Sequence, residues 1–311
     1  MLKTLRLATL VSVITLTSLA ATAAEAEGLK VVASFSIIGD FARNVGGERI
    51  DLTTLVGPDG DAHVYEPRPA DASTMAGAQV VLVNGLGFEG FLSRLVETSG
   101  TTATVVELTK GVAPLKIREG DEHHDGDHEE HHHHGDYDPH AFQSIANAKI
   151  YVKNIADAFC VADAAGCDIY RANAATYTAK LDTAEAEVKE AIASIPQDKR
   201  VIITSHDSFG YFEHAYGLTF LAPEGISTEA EASAADVAKL IRQVREDRAS
   251  AIVLENITNP RLVEQIASET RLKIGGTLYS DALSSPDGDA ATYLDLMRHN
   301  VSTIKRAILE N

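Results

Sequence analysis

Residues 171–195 read RANAATYTAKLDTAEAEVKEAIASI, a run with neither glycine nor proline that stops at Pro196. It is long for a helix inside a globular domain, and the segments on either side of it follow another pattern. From Lys30, short β-branched runs (VVASFSII, 31–38; DLTTLV, 51–56; QVVLV, 79–83; ATVVEL, 103–108) alternate with turn residues and helical spacing. Downstream, RVIITSH (200–206), GLTFLAP (217–223), SAIVLEN (250–256) and LKIGGTL (272–278) restart the alternation. Such alternation implies parallel strands covered by helices. The fold therefore reads as α/β: two similar lobes with parallel sheets, residues 25–170 and 197–311, joined by one long rigid interlobe helix over 171–196. The halves echo each other, since PADASTMAGAQVVLVNG (69–85) and SAADVAKLIRQVREDRASAIVLEN (233–256) each run from a polar helix start to a strand ending in asparagine. Two such lobes leave a cleft, and ligands of open α/β sheets bind beyond the carboxyl ends of the strands.

The chain begins MLKTLRLATLVSVITLTSLAATAAEAEG, with Lys3 and Arg6 before an apolar run to about Ala20 and small residues at Ala21-Thr22-Ala23. Residues 1–24 are expected to be a secretory signal peptide. The run falls short of the ~20 apolar residues of a spanning helix and has no stop-transfer flank. No cysteine follows the cleavage region, so a lipid anchor is not expected and the mature chain should be free in an exported compartment. A formal charge of −18 repels phosphate backbones, which argues against nucleic acid and admits small cations. Cys160 and Cys167, in FCVADAAGC, match neither a C-x-x-C redox motif nor a four-ligand zinc knuckle. In an oxidising compartment they are expected to form a disulfide closing a short loop between two helices.

The stretch QVVLVNGLGFEGFLSRL (79–95) holds Gly85-x-Gly87-x-x-Gly90 between a strand and a helix, with Glu107 ending the next strand. On paper this satisfies a dinucleotide fingerprint. The strand is not the first of its lobe, however, and an exported protein is remote from the usual nicotinamide pool, so a plain glycine turn is the preferred reading. A different set stands at the strand ends and a helix start: His63 in GPDGDAHVYEP, His140 in DPHAF, His206 directly after RVIIT, and Asp281 after GGTLYS. Any one of them has a bland reading as a solvated histidine or a turn cap. Together, three imidazoles and a carboxylate are what a tetrahedral zinc site requires.

The segments HVYEP (63–67), DPHAF (138–142), HDSFGYFEHAYGL (206–218) and LYSDALS (278–284) resemble the metal-binding motifs of the solute-binding subunits of zinc and manganese ABC importers. The resemblance covers essentially the whole mature chain and points to the zinc-specific members with a histidine-rich loop, the ZnuA and AztC types. It implies His63, His140, His206 and Asp281 as ligands, and Gly85 to Gly90 as a turn that binds no nucleotide. It further implies one tight Zn2+ site, high-affinity capture of zinc(II) in the periplasm, and delivery to the membrane permease of an ABC importer by a monomer that is not an enzyme. A periplasmic zinc metallochaperone fits as a donor. Manganese-binding members typically carry glutamate where this chain has His206. Imidazole suits zinc and copper better than manganese, which prefers oxygen.

Residues 121–142 read DEHHDGDHEEHHHHGDYDPHAF, and only the last histidine, His140, lies on a family motif. His123, His124, His128, His131, His132, His133 and His134 lie in a stretch, 121–136, with no apolar residue. Such a stretch cannot bury enough surface to fold alone, so it is expected to be a mobile loop that captures zinc weakly near the cleft mouth. Asp61, Glu66 and Glu255 are expected to orient the ligand imidazoles, and the long helix should limit lobe movement on binding.

Manganese binding in the same family, or an exported zinc hydrolase, are the alternatives. Catalytic zinc normally keeps three protein ligands and an open position, often with two ligands in H-E-x-x-H, and no such motif occurs. Ser205, His206 and Asp207 are adjacent and cannot form a triad, and G-x-S-x-G is absent. An adhesin or a metallochaperone would carry the same site.

Overall fold

A computed structural model describes residues 28–117, 136–230, 232–246 and 248–310. The expected signal peptide, residues 1–24, and the seven histidines from His123 to His134 lie outside the described residues.

The first lobe carries β1 (Leu29–Phe35), β2 (Ile50–Val56), β3 (Val80–Val83) and β4 (Thr104–Glu107), all parallel in the order β2-β1-β3-β4. The second carries β5 (Val201–Ile203), β6 (Thr219–Leu221), β7 (Ala251–Glu255) and β8 (Ile274–Leu278), parallel in the order β6-β5-β7-β8. The two sheets share one topology, so β3 and β7 are equivalent strands, and each is followed by an asparagine, Asn84 and Asn256. Central strands β1, β3 and β7 are buried along nearly their whole length, as parallel strands covered on both faces must be.

Helices α1 (Ser36–Gly46), α2 (Pro69–Gly77), α3 (Leu92–Ser99) and α4 (Ile145–Ala162) belong to the first lobe. Helix α5 (Cys167–Ala193) follows, and α6 (Gly210–Tyr216), α7 (Ala234–Glu246), α8 (Arg261–Thr270) and α9 (Tyr293–Leu309) belong to the second. The β-branched run 31–38 is not all strand. Ser36, Ile37 and Ile38 open α1, where both isoleucines are fully buried, and that burial outweighs a context-dependent strand preference.

The long helix runs from Cys167 to Ala193 rather than over 171–196. It starts early because α4 turns almost directly into α5. Asp163 accepts a bond from Gly166 N (3.2 Å) within the turn, and the sulfurs of Cys160 and Cys167 lie 2.00 Å apart across it. It stops short because Pro196 disfavours helical geometry in the residue before it. The freed carbonyls of Ile192 and Ile195 accept bonds from the Arg200 guanidinium at 3.0 and 2.9 Å. Its buried residues, Tyr170, Ala174, Tyr177, Leu181, Ala184, Val188 and Ile192, recur at three- and four-residue spacing and make one apolar stripe. That stripe packs on α1, α4 and α9, so the helix is a wall common to both lobes.

A single apolar core continues from the first sheet through α4 and α5 to α9 and the Phe209–Phe212–Phe220 group of the second lobe. A separate cluster around Ile203, Val237, Leu240 and Val263 lies on the outer side of the second sheet. Strand β8 approaches α9 so closely that a Cβ on Gly275 would stand 2.1 Å from the Ala307 Cβ. Across the lobe boundary, Tyr293 Oη donates to the Phe142 carbonyl (2.7 Å), Gln143 Nε2 to the Ser280 carbonyl (2.6 Å) and Leu283 N to Ser36 Oγ (2.9 Å).

Candidate metal centre

The loop after β2 carries His63, the residue opening the turn before α4 is His140, the segment after β5 carries His206, and the segment after β8 carries Asp281. Three of the four thus follow the carboxyl ends of parallel strands, where an α/β sheet leaves its crevice. The structure brings the four together in one buried spot, with one ligand atom from each lying within 4.8 Å of the others. His63 is 7% exposed and the other three are fully buried. All three Nε2 atoms face the carboxylate. Asp281 Oδ2 lies 3.2 Å from that of His63, 3.1 Å from that of His206 and 3.6 Å from that of His140. The Nε2 atoms of His63 and His140 are 3.3 Å apart. Metal–ligand bonds of about 2.0–2.1 Å give a tetrahedron edges of about 3.3–3.4 Å. These separations therefore suit donors gathered around a single ion. The second carboxylate oxygen, Asp281 Oδ1, is buried and has no hydrogen-bond partner among the described residues. Leaving such an atom bare is costly, so the site is built to meet a cation.

Two of the three rings have a carboxylate behind them. Asp138 Oδ1 lies 2.8 Å from His140 Nδ1 and also accepts from the His140 backbone N–H (2.9 Å). Glu255 Oε2 lies 2.7 Å from His206 Nδ1, while its Oε1 accepts from Ser205 N and His206 N at 2.7 and 2.9 Å. The hydrogen bond to Asp138 fixes the His140 tautomer that leaves Nε2 free, and the Glu255 carboxylate beside His206 Nδ1 raises the basicity of that ring. His63 is held differently, its ring edge-on to Phe88 with centroids 4.8 Å apart and its backbone N–H donating to Asp61 Oδ1 (2.8 Å).

Of the three expected orienting residues, then, only Glu255 acts on a ring. Asp61 acts on backbone, and Glu66 is exposed, with no hydrogen bond to any of the three imidazoles. Asp138 carries no separate signal in the sequence, although DPH places its carboxylate two residues before His140, where it reaches both that residue's N–H and its ring.

The glycine turn also has a structural task. Gly85, Leu86 and Gly87 all take positive φ (89°, 56° and 80°), which wraps the chain around the buried Glu89 carboxylate. That carboxylate accepts from Asn84 N and Ser34 Oγ, both at 2.6 Å, and the turn presents Phe88 to His63 and His140.

The charges in the cluster set one another. Burial lowers the proton affinity of His140, but Asp281 and the hydrogen bond to Asp138 outweigh it and hold the pKa up at about 9. Burial also opposes a charged His206, yet Glu255 and Asp281 push its pKa well above the ordinary histidine range. For His63 burial prevails, only partly offset by Asp281 and reinforced by the two other rings, so its pKa is lowered. Burial would raise Asp281, but His140 and His206 hold it well below the usual carboxylate range. Glu255 is lowered in the same way by His206. The raised pKa values of His140 and His206 favour positive charge on these two rings, beside the buried carboxylates.

The profile of the ZnuA family, described as zinc-uptake complex component A, periplasmic, matches residues 31–307. The chain is 33% identical over 282 residues to the manganese-binding lipoprotein MntA of Halalkalibacterium halodurans, covering 91% of this chain and 89% of that one. It is 31% identical over 310 residues to the iron-binding protein YfeA of Yersinia pestis, covering 97% and 96%. Among solved structures, the periplasmic zinc binding protein TroA of Treponema pallidum superposes with a TM-score of 0.81 at 26% identity, covering 89% of this chain and 98% of that one.

Proposed function

This chain belongs to the ZnuA family, and we propose that it captures zinc(II) with high affinity in the periplasm and delivers it to the permease of an ABC importer. The observation that carries the reading is the convergence of three imidazole Nε2 atoms and one carboxylate in a buried spot fed by both lobes. A closed set of four ligands holds an ion without keeping a position for a reacting water, which favours transport over hydrolysis. The same convergence supports His63, His140, His206 and Asp281 as the ligands.

The donor set supports zinc over manganese, because imidazole suits zinc and manganese prefers oxygen. Copper(II) would bind such donors more tightly, so selectivity rests on tetrahedral geometry and on which ions the compartment supplies. Capture exchanges the protons of His140 and His206 for the metal. The histidine-rich stretch is assigned the accessory role of raising local zinc concentration or receiving it from a donor protein. Its described flanks support this, since Ile117 N donates to the Asp136 carbonyl (3.2 Å), and Ile117 and Tyr137 line a crevice against His63. Export by a cleaved signal peptide, a Cys160–Cys167 disulfide and lobe bounds near 170 and 197 complete the proposal.

Manganese is the second reading, favoured by one specific feature. Asp281 Oδ1 has no hydrogen-bond partner among the described residues, so the carboxylate has a second oxygen to offer a larger, oxygen-preferring ion. The test is dialysis of the mature protein against equimolar zinc and manganese, followed by metal analysis of wild type and His206→Ala. Zinc in the wild type and little metal in the variant are expected; manganese in the wild type would overturn the choice of metal.

A further inference from the structure

Asp281 Oδ2 faces three imidazoles and, among the described residues, Oδ1 has no hydrogen-bond partner, so no described group outside the metal centre holds the carboxylate at its angle. Its orientation must be inherited from its backbone. That backbone is gripped on both sides by one residue. Asn256 Oδ1 accepts from Ser280 N (3.3 Å) and Asn256 Nδ2 donates to the Ala282 carbonyl (3.3 Å), so its amide brackets Asp281. The assignment of the amide is fixed by its partners, because a flipped group would set NH2 against the Ser280 N–H and oxygen against the Ala282 carbonyl.

The same Nδ2 also donates across the lobe boundary to Asp59 Oδ1 (3.0 Å). Asp59 sits four positions before His63, at a left-handed φ of 54°, and its N–H donates to the Leu283 carbonyl (2.8 Å). The loop that carries His63 and the segment that carries Asp281 are therefore sewn together at Asn256. The other lobe repeats the device. Asn84, at the equivalent strand end, donates to the Pro139 carbonyl (2.8 Å), directly before His140, and accepts from Tyr151 Oη (2.6 Å).

We propose that Asn256 positions Asp281 and locks it in register with His63, so that it governs how many carboxylate oxygens the metal receives and thereby the preference for zinc over manganese. The inference rests on the metal reading above. With the clamp intact, Oδ2 is the oxygen turned to the three imidazole Nε2 atoms, which makes a set of four donors. With the clamp cut, the segment is free to rotate, the second oxygen reaches the ion, and the higher coordination number suits manganese.

The test uses cobalt(II), whose visible absorption is strong in four-coordinate sites and weak in five- or six-coordinate ones, on the mature protein and on Asn256→Ala, Asn256→Asp and His206→Ala. A strong wild-type band that His206→Ala abolishes is expected. Both Asn256 variants should weaken the band and lower the zinc-to-manganese affinity ratio by about tenfold or more. Asn256→Asp keeps the volume and the acceptor for Ser280 N, and so carries the test if Asn256→Ala fails to fold. A strong wild-type band left unchanged in both Asn256 variants, with the affinity ratio also unchanged, overturns the role of Asn256 alone. The lack of any His206-dependent cobalt band in the wild type overturns the metal centre, and this inference with it.

Discussion

Glu255 Oε2 lies 2.7 Å from Nδ1 of His206, on the side of the ring opposite the atom that faces Asp281. The carboxylate raises the basicity of the ring, so its charge should be felt in affinity. Glu255→Gln keeps the shape and removes the charge, and is expected to weaken zinc binding by about 10–100-fold. Asp138→Asn should act on His140 in the same way and by a similar factor. Glu66→Gln should leave affinity unchanged, because that side chain is exposed. Competition with a chelator of known affinity measures all three.

Zinc binding should release protons. His140 keeps its proton to about pH 9 and His206 is raised in the same direction, so at neutral pH about two protons must leave before the metal is coordinated. Calorimetry in buffers of different ionisation enthalpy gives the number directly. Release of none would mean that the rings are neutral without metal.

Metal-free stability should fall in alkali. A histidine whose pKa is raised on folding contributes stability that is fully present below its unfolded value, about 6.5. For His140 that contribution is lost as pH rises through about 9. His206 acts in the same sense, while His63, whose pKa is lowered, has the opposite sign and costs stability only as pH falls below about 6.5. The metal-free Tm is therefore expected to drop between about pH 6.5 and 9. Zinc needs neutral imidazoles, so the stabilisation it gives should grow over the same interval. Thermal melts with and without zinc test both slopes.

Because one core runs through both lobes, unfolding should appear as a single calorimetric transition. Leu181 is fully buried in the stripe of α5, and Leu181→Ala should cost about 2–5 kcal/mol while keeping one transition. The same shared core and the bonds from Tyr293 and Gln143 across the boundary limit hinge opening. Small-angle scattering should accordingly show nearly equal radii of gyration with and without zinc; a large change would contradict the shared core.

The β-branched runs and the long glycine-free stretch carry most of the fold, because fully buried parallel strands need continuous apolar sequence and a two-lobe wall needs length. What local pattern misses is set by distant contacts. Ser36-Ile37-Ile38 has a strand-like composition yet forms a helix in the core, and the start of α5 depends on the turn at Asp163. The four clustered residues are legible because polar side chains at strand ends stand out. Their supports are less so. Glu255 is visible at the end of β7, Asp138 is hidden inside its own motif, and Asn256 is legible only as an echo of Asn84. Glu66 has the right residue type near the right histidine, but its side chain faces solvent.

The central claim is that the tight site is the buried cleft and that the histidine-rich stretch is accessory. Zinc stoichiometry and affinity, measured by chelator competition on the mature protein, on a version lacking residues 121–135 and on His206→Ala, test it most directly. One tight site that survives the deletion and disappears with His206→Ala is the predicted result. Tight binding that departs with residues 121–135 and persists in His206→Ala would contradict the account.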